Sequence, residues 1–228
     1  MSSFVIYGDV HGCLEEFDEL RKIVPKADKE VSVGDLIDRG PYKAEVIEYA
    51  RKNNILAVLG NHEYKHIRKY QGRNVKLDEN QKEVYPTLTK EDFEYIANMP
   101  LYIKDKNLTI LHAGINNKMD LDNPYNITHL LYFRDLDENG DFLPLKHNNP
   151  NAKYWAEMYN GKNGFIVHGH QPFKDVKRYK YSLGIDTGCV FGNKLSAVFI
   201  KDSAKPWEYE VFSVPAKKEY ATYFRELK

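Results

Sequence analysis

The 228-residue chain lacks several features, and each absence removes a class of protein. No apolar run approaches the roughly 18 residues that a membrane-spanning helix needs, so no membrane partner is expected. Charge of one sign is not in excess: Lys plus Arg and Asp plus Glu each number 33, so no global field exists to hold nucleic acid or an anionic surface. Cysteine is scarce, with Cys13 and Cys189 alone, too few for a disulfide framework. The first residues carry no basic segment ahead of their short apolar stretch, so a secretory signal is not expected and a cytoplasmic, reduced protein is. There is no internal repeat, no low-complexity tract and no Gly/Ser- or Pro-rich linker, which favours a single domain over residues 1–228. What is present suits an ordered globule. Hydrophobic residues make up 42% and aromatics 13%. A chain of this length buries about 70% of its unfolded surface without disulfide or metal staples.

The N-terminal half alternates between strand and helix patterns. Phe4–Tyr7 is a short apolar run of buried-strand type, and Leu14, Phe17, Leu20 and Val24 recur at helical spacing over 13–24. A strand at 31–33, a helix over 43–53, a strand at 55–59 and a helix over 63–70 follow, which implies right-handed crossovers and a parallel sheet. The C-terminal half predicts a hairpin of 101–103 and 108–112, then strands at 165–168, 182–185, 195–200 and 208–214 in an antiparallel or mixed second sheet. Two polar stretches, 71–90 and 116–164, read as long loops, the second around a short apolar piece at 127–133.

Five short motifs stand at the ends of these strands: Gly8-Asp9-Val10-His11-Gly12, Gly34-Asp35-Leu36-Ile37-Asp38-Arg39-Gly40, Gly60-Asn61-His62-Glu63, His112-Ala113-Gly114 and His168-Gly169-His170. Glycines let the backbone turn sharply beside carboxylate and imidazole groups, and ligand sites of open α/β folds lie at the carboxyl ends of strands. A mixed oxygen and nitrogen donor set suits manganese, iron or zinc, and without a cysteine cluster it does not describe a structural zinc site.

In this ordered set the chain resembles the calcineurin-like metallophosphoesterases. Within them it is most similar to the phosphoprotein phosphatase branch, which includes bacterial and phage serine/threonine phosphatases and dinucleoside tetraphosphate hydrolases. The segments at 101–115 (LYIKDKNLTILHAGI) and 184–198 (GIDTGCVFGNKLSAV) resemble the same branch. The resemblance implies an α/β fold, a four-layer αββα sandwich of two mixed sheets flanked by helices. It implies two divalent ions, manganese first with iron or zinc as alternatives. Asp9 and His11 would hold the first ion, Asp35 would bridge both, and Asn61, His112 and His170 would complete the second. A bridging carboxylate is needed because two neighbouring cations repel strongly unless an anion lies between them. His62 would be the general acid, Asp38 would hydrogen-bond it, and Arg39 and Arg134 would bind phosphate. Hydrolysis of a phosphate monoester by attack of a metal-bridging hydroxide is the implied reaction, with phosphoserine or phosphothreonine in proteins as the leading substrate. A dinucleoside polyphosphate or other nucleotide is the alternative, and a silent phospho-binding module the non-enzymatic one. Stable nucleic-acid binding is not expected. The last motif departs from the wider superfamily: Pro172 stands where a further histidine ligand often lies, which implies more water on the first ion.

Other residues read more plainly. His168 is expected to pack rather than to ligate, and Cys13 and Cys189 to be small packing residues. His66, His129 and His147 lie in no motif and read as surface groups. The basic run Lys65, His66, Arg68, Lys69, Arg73 and Lys76 reads as a solvated helix face. Substrate specificity is expected in the 71–90 and 116–164 stretches.

Overall fold

The computed structural model describes residues 2–121 and 127–222. Residues 122–126, part of the second polar stretch, and 223–228 lie outside the described residues. In chain order the elements are β1 (Phe4–Tyr7), α1 (Leu14–Ile23), β2 (Lys29–Ser32), α2 (Glu45–Lys52), β3 (Leu56–Ala57), α3 (Asn61–Tyr70), α4 (Glu79–Val84), a 3-10 turn (Tyr85–Thr87) and α5 (Lys90–Ala97). There follow β4 (Tyr102–Asp105), β5 (Leu108–Leu111), α6 (Ile127–Tyr132), β6 (Asp135–Leu136), β7 (Lys153–Tyr154), α7 (Trp155–Met158), β8 (Phe165–His168), β9 (Lys177–Arg178), β10 (Ser182–Gly184), β11 (Lys194–Ile200) and β12 (Tyr209–Pro215).

Two five-stranded mixed sheets carry the fold, in the orders β12-β11-β1-β2-β3 and β4-β5-β8-β10-β9. In the first, β1, β2 and β3 run parallel, while β11 pairs antiparallel with β1 and β12. In the second, β5, β8 and β10 run parallel between antiparallel edges. Burial on both faces explains why the central strand β1, Phe4-Val5-Ile6-Tyr7, is apolar throughout. On β1, Phe4 and Ile6 face the inter-sheet core with Val31, Val33, Val198, Ile110, Val167 and Leu183. Val5 and Tyr7 point the other way, onto Phe17 and Leu20 of α1 and Val46 and Ile47 of α2. Ile166 of β8 likewise turns outward to Trp155 and Leu130 on the far face of the second sheet. Helices therefore cover both outer faces, and the expected four-layer sandwich is what the chain forms. Among the described residues no helix is long and apolar enough to cross a membrane.

Three expectations are corrected. The 71–90 stretch is not a plain loop: Asp78 caps α4 and Thr89 caps α5, each through a reciprocal capping box with the residue three positions on. The 127–133 piece contains α6, and 135–154 returns as the small β6–β7 hairpin. Histidines outside the motifs are not on the surface either. His66 is fully buried, His129 is packed between the rings of Phe133 and Phe142, and the half-buried His147 meets Asp135 at 3.2 Å.

Candidate metal centre

Parallel strands β1, β2, β3, β5, β8 and β10 deliver their carboxyl ends to one edge of the sandwich, so every motif arrives at the same place. The turns there are sharp. His11, Asp35, Asp38, Arg39 and His170 all hold left-handed backbone, with φ of 47°, 51°, 72°, 72° and 65°. Such conformations cost roughly 1–3 kcal/mol each and concentrate where the surroundings over-determine them.

The imidazoles are oriented by backbone carbonyls. Nδ1 of His11 lies 3.0 Å from the Ile37 carbonyl, and Nδ1 of His112 lies 2.8 Å from that of Val33. Each carbonyl needs a proton from the ring, so in the neutral rings both Nε2 atoms carry bare lone pairs. Those lone pairs face one atom, Asp35 Oδ2, at 3.6 and 3.4 Å. Asn61 Oδ1 lies 3.0 Å from the same His112 Nε2. His170 is reversed: its Nε2 meets the Tyr132 carbonyl at 3.0 Å, leaving Nδ1 bare. The donor atoms of Asp35, His112 and His170 lie within 4.8 Å of one another, as do those of His11, Asp35 and His62. Asp9 stands beside this set, accepting the His170 N–H on both oxygens at 3.2 and 3.1 Å.

Electrostatics agree with the geometry. Burial, then the charges of Asp186 and Asp35, push the Asp9 carboxyl well above its usual range. Burial and Asp35 push Glu63 up to about 7, and raise Asp186 to about 6. Burial works against the Asp35 anion too, but His112, His62 and His11 outweigh it and hold its carboxyl low. Burial and the Arg39 guanidinium bring His11 down to about 3, and burial with Arg134 depresses His170. Burial lowers the His112 imidazole, but Asp35 outweighs it and raises the ring above its usual value. With the rings neutral, acceptors converge on acceptors, among carboxylates that repel one another. A divalent cation resolves that conflict, and the oxygen and imidazole donors fit one.

Around this set lie the remaining motif residues. His62 Nδ1 meets Asp38 Oδ2 at 2.7 Å, and its Nε2 is 3.3 Å from an Arg39 amine and 4.0 Å from Asp35 Oδ2. Arg39 lies against the Phe191 ring. Arg134 donates to the His170 carbonyl at 3.0 Å. His168 stands apart, buried against Trp155 and Tyr154, in keeping with packing. Cys13 and Cys189 are buried free thiols.

Three residues outside the expected set also join the site. Glu63 accepts the backbone N–H of Asp35, Leu36 and Ile37 at 2.9, 2.7 and 3.1 Å, and so shapes the loop that presents Asp35. It sits inside the Gly60–Glu63 motif, where its presence was the available signal. Asp186, at the end of β10 and 4% exposed, adds a carboxylate beside Asp9. His66 reaches Asp38 Oδ1 at 2.8 Å; its only sequence signal was its place four residues after His62.

Fold and site together define a metal-assisted phosphoesterase. Residues 2–206 match the calcineurin-like phosphoesterase family model, and the chain belongs to that family, whose members use divalent metals. Curated relatives are the bis(5'-nucleosyl)-tetraphosphatases PrpE (asymmetrical) of Anoxybacillus flavithermus, 33% identical over 94% of this chain and 95% of the relative, and of Bacillus cereus strain Q1, 32% identical over 92% and 93%. A solved structure assigned as a diadenosine tetraphosphatase superposes with a TM-score of 0.78 at 25% identity, covering 94% of each chain. A serine/threonine phosphatase from Saccharomyces cerevisiae shares the fold, with a TM-score of 0.59 at 14% identity, covering 95% of this chain and 81% of that one. The chain is a metallophosphoesterase.

Proposed function

We propose that this metallophosphoesterase hydrolyses bis(5'-nucleosyl) tetraphosphates into unequal pieces. The observation that carries the reading is the full-length similarity to tetraphosphatases, 33% identical across 95% of the relative. The leading expectation from the sequence, a serine/threonine protein phosphatase, has weaker support, because the protein phosphatase neighbour shares the fold at 14% identity.

In this reading Asp9 and His11 would hold one ion, Asn61, His112 and His170 would hold another, and Asp35 would be shared by both, with manganese first and iron or zinc as alternatives. When bound, such ions polarise the phosphoryl group and acidify a water that serves as nucleophile. Arg39 and Arg134 flank the site and bind phosphoryl oxygens through their planar forks. His62, with Nδ1 held by Asp38, presents Nε2 for proton delivery to the departing oxygen. Glu63 keeps the Asp35 loop in its left-handed turn.

A substrate panel under one metal tests the reading. Diadenosine tetraphosphate should give a higher kcat/KM than a phosphoserine peptide, releasing a nucleoside monophosphate and a nucleoside triphosphate rather than two equal halves. A phosphopeptide preference, or equal halves, would overturn it.

A further inference from the structure

Asp38 is held by more than the histidine it is expected to serve. His62 Nδ1 and Gln81 Nε2 both reach its Oδ2, at 2.7 and 3.1 Å, while His66 Nε2 reaches Oδ1 at 2.8 Å. His62 and His66 stand four residues apart on α3, so both rings project from one face and grip the two oxygens of one carboxylate. Asp38 is 1% exposed, and His66 and Gln81 are fully buried.

The proton positions follow from the partners. His66 Nδ1 is buried with no hydrogen-bond partner. A proton there would be a buried orphan donor, so it belongs on Nε2, facing Asp38. The Gln81 amide is fixed the same way. Its Oε1 accepts the Asp78 N–H at 3.2 Å within the α4 cap, leaving its amine for Asp38. The neighbouring Asn80 Oδ1 accepts the Arg39 N–H at 2.6 Å. One short helix thus braces two consecutive left-handed residues, Asp38 and Arg39.

From this arrangement we infer that His66 and Gln81 are positioning residues for proton delivery, locking the Asp38 carboxylate so that His62 is aimed at the leaving oxygen. The inference rests on the proposed roles of His62 and Asp38. It adds a second imidazole that touches neither substrate nor metal ligand and acts through Asp38 alone. With His66 removed, Oδ1 loses its donor, the carboxylate is free to turn, and the His62 ring loses its fixed bearing. The loss falls on substrates whose leaving oxygen needs a proton.

The test compares phenyl phosphate, which leaves as a basic phenolate, with 4-nitrophenyl phosphate, which leaves as a stable anion. His66→Leu should lower kcat on phenyl phosphate about 10-fold, a fraction of the roughly 10²–10⁴-fold contribution of general acid catalysis. On 4-nitrophenyl phosphate it should lose less than about 2-fold, with bound metal and circular dichroism unchanged. His66→Gln, whose amine can occupy the place of Nε2, should recover most of the loss. In an Asp38→Asn background the effect of His66→Leu should disappear. Equal losses on the two substrates, or no loss, would overturn the inference if His62→Asn still discriminates between them. If His62→Asn does not discriminate either, the proposed acid falls and the inference with it. A His66→Leu protein that fails to fold shifts the comparison to Gln81→Leu, with the same two outcomes.

Discussion

At Gly60 a single hydrogen atom decides whether the centre assembles. A Cβ added there would lie 2.3 Å from the Asp35 amide nitrogen, 2.3 Å from Asp35 Oδ1 and 2.5 Å from Glu63 Oε2. The φ of Gly60 is an ordinary −87°, so the need is for space rather than for backbone freedom. Gly60→Ala should therefore displace Asp35 and lower both metal content and kcat/KM at least 10-fold, a misplacement cost of the kind that ångström shifts produce. Elemental analysis and steady-state kinetics on one preparation check it; normal metal content would contradict it. His62→Asn should slow phosphoserine hydrolysis far more than nitrophenyl phosphate hydrolysis, because an alkoxide needs a proton to leave and a nitrophenolate does not. Equal losses with metal retained would make His62 a binding group instead. The polar residues that the fold brings together at the centre were legible because they sit in short motifs next to glycines, where strand ends could be read. Glu63 and His66 were not, since their partners are backbone amides and a carboxylate brought close only by folding.

At the scale of elements, short apolar runs and helical spacing placed β1, α1, α2, α3, β8 and β11 within a few residues. α4 was missed inside the polar 71–90 stretch and α5 at its end, although each carries a capping signal, Asp78 with Gln81 and Thr89 with Asp92. Their apolar faces are short, Val84 in one and Phe93 with Ile96 in the other, too little for periodicity to register. Strands of two residues such as β6 and β7 leave no period to detect. Elsewhere a charged group ties elements together. Glu30 of β2 accepts the Arg21 fork from α1 at 2.8 and 3.0 Å and the Tyr7 hydroxyl of β1 at 2.7 Å. Burial opposes the Glu30 anion, but Arg21 and Tyr7 outweigh it and hold the carboxyl below its usual range. A carboxylate with a lowered folded pKa contributes stability above its unfolded pKa and loses it as pH falls through the folded value. Glu30→Gln should cost roughly 1 kcal/mol near pH 7, allowing for partial solvent screening of the pair. The cost should shrink toward zero below the carboxylate range. Urea unfolding of both proteins at neutral and acid pH measures this; a cost that grows in acid would contradict it.

Across the whole molecule, the centre lies on the seam between two sheets. Asp9 and His11 follow β1 and Asp35 follows β2 in the first sheet, while His112 follows β5 and His170 follows β8 in the second. Cations bound there would link the sheets and relieve the repulsion among Asp9, Asp35 and Asp186. Binding confined to the folded state stabilises it by about 2.7 kcal/mol at a hundredfold excess over Kd. A chain of this size gains roughly 2–4 °C in Tm per kcal/mol. Manganese added to chelated protein should thus raise Tm by about 5–10 °C, and an unchanged Tm would count against the site.

Metal content of Asp35→Asn tests the account most directly, because among the described residues Asp35 is the one carboxylate facing both sets of donors. Reconstituted wild-type protein should hold two divalent ions per chain. Asp35→Asn, with circular dichroism unchanged, should hold fewer than one and show no measurable turnover. An Asp35→Asn protein that keeps two ions per chain and near-normal turnover would contradict the account.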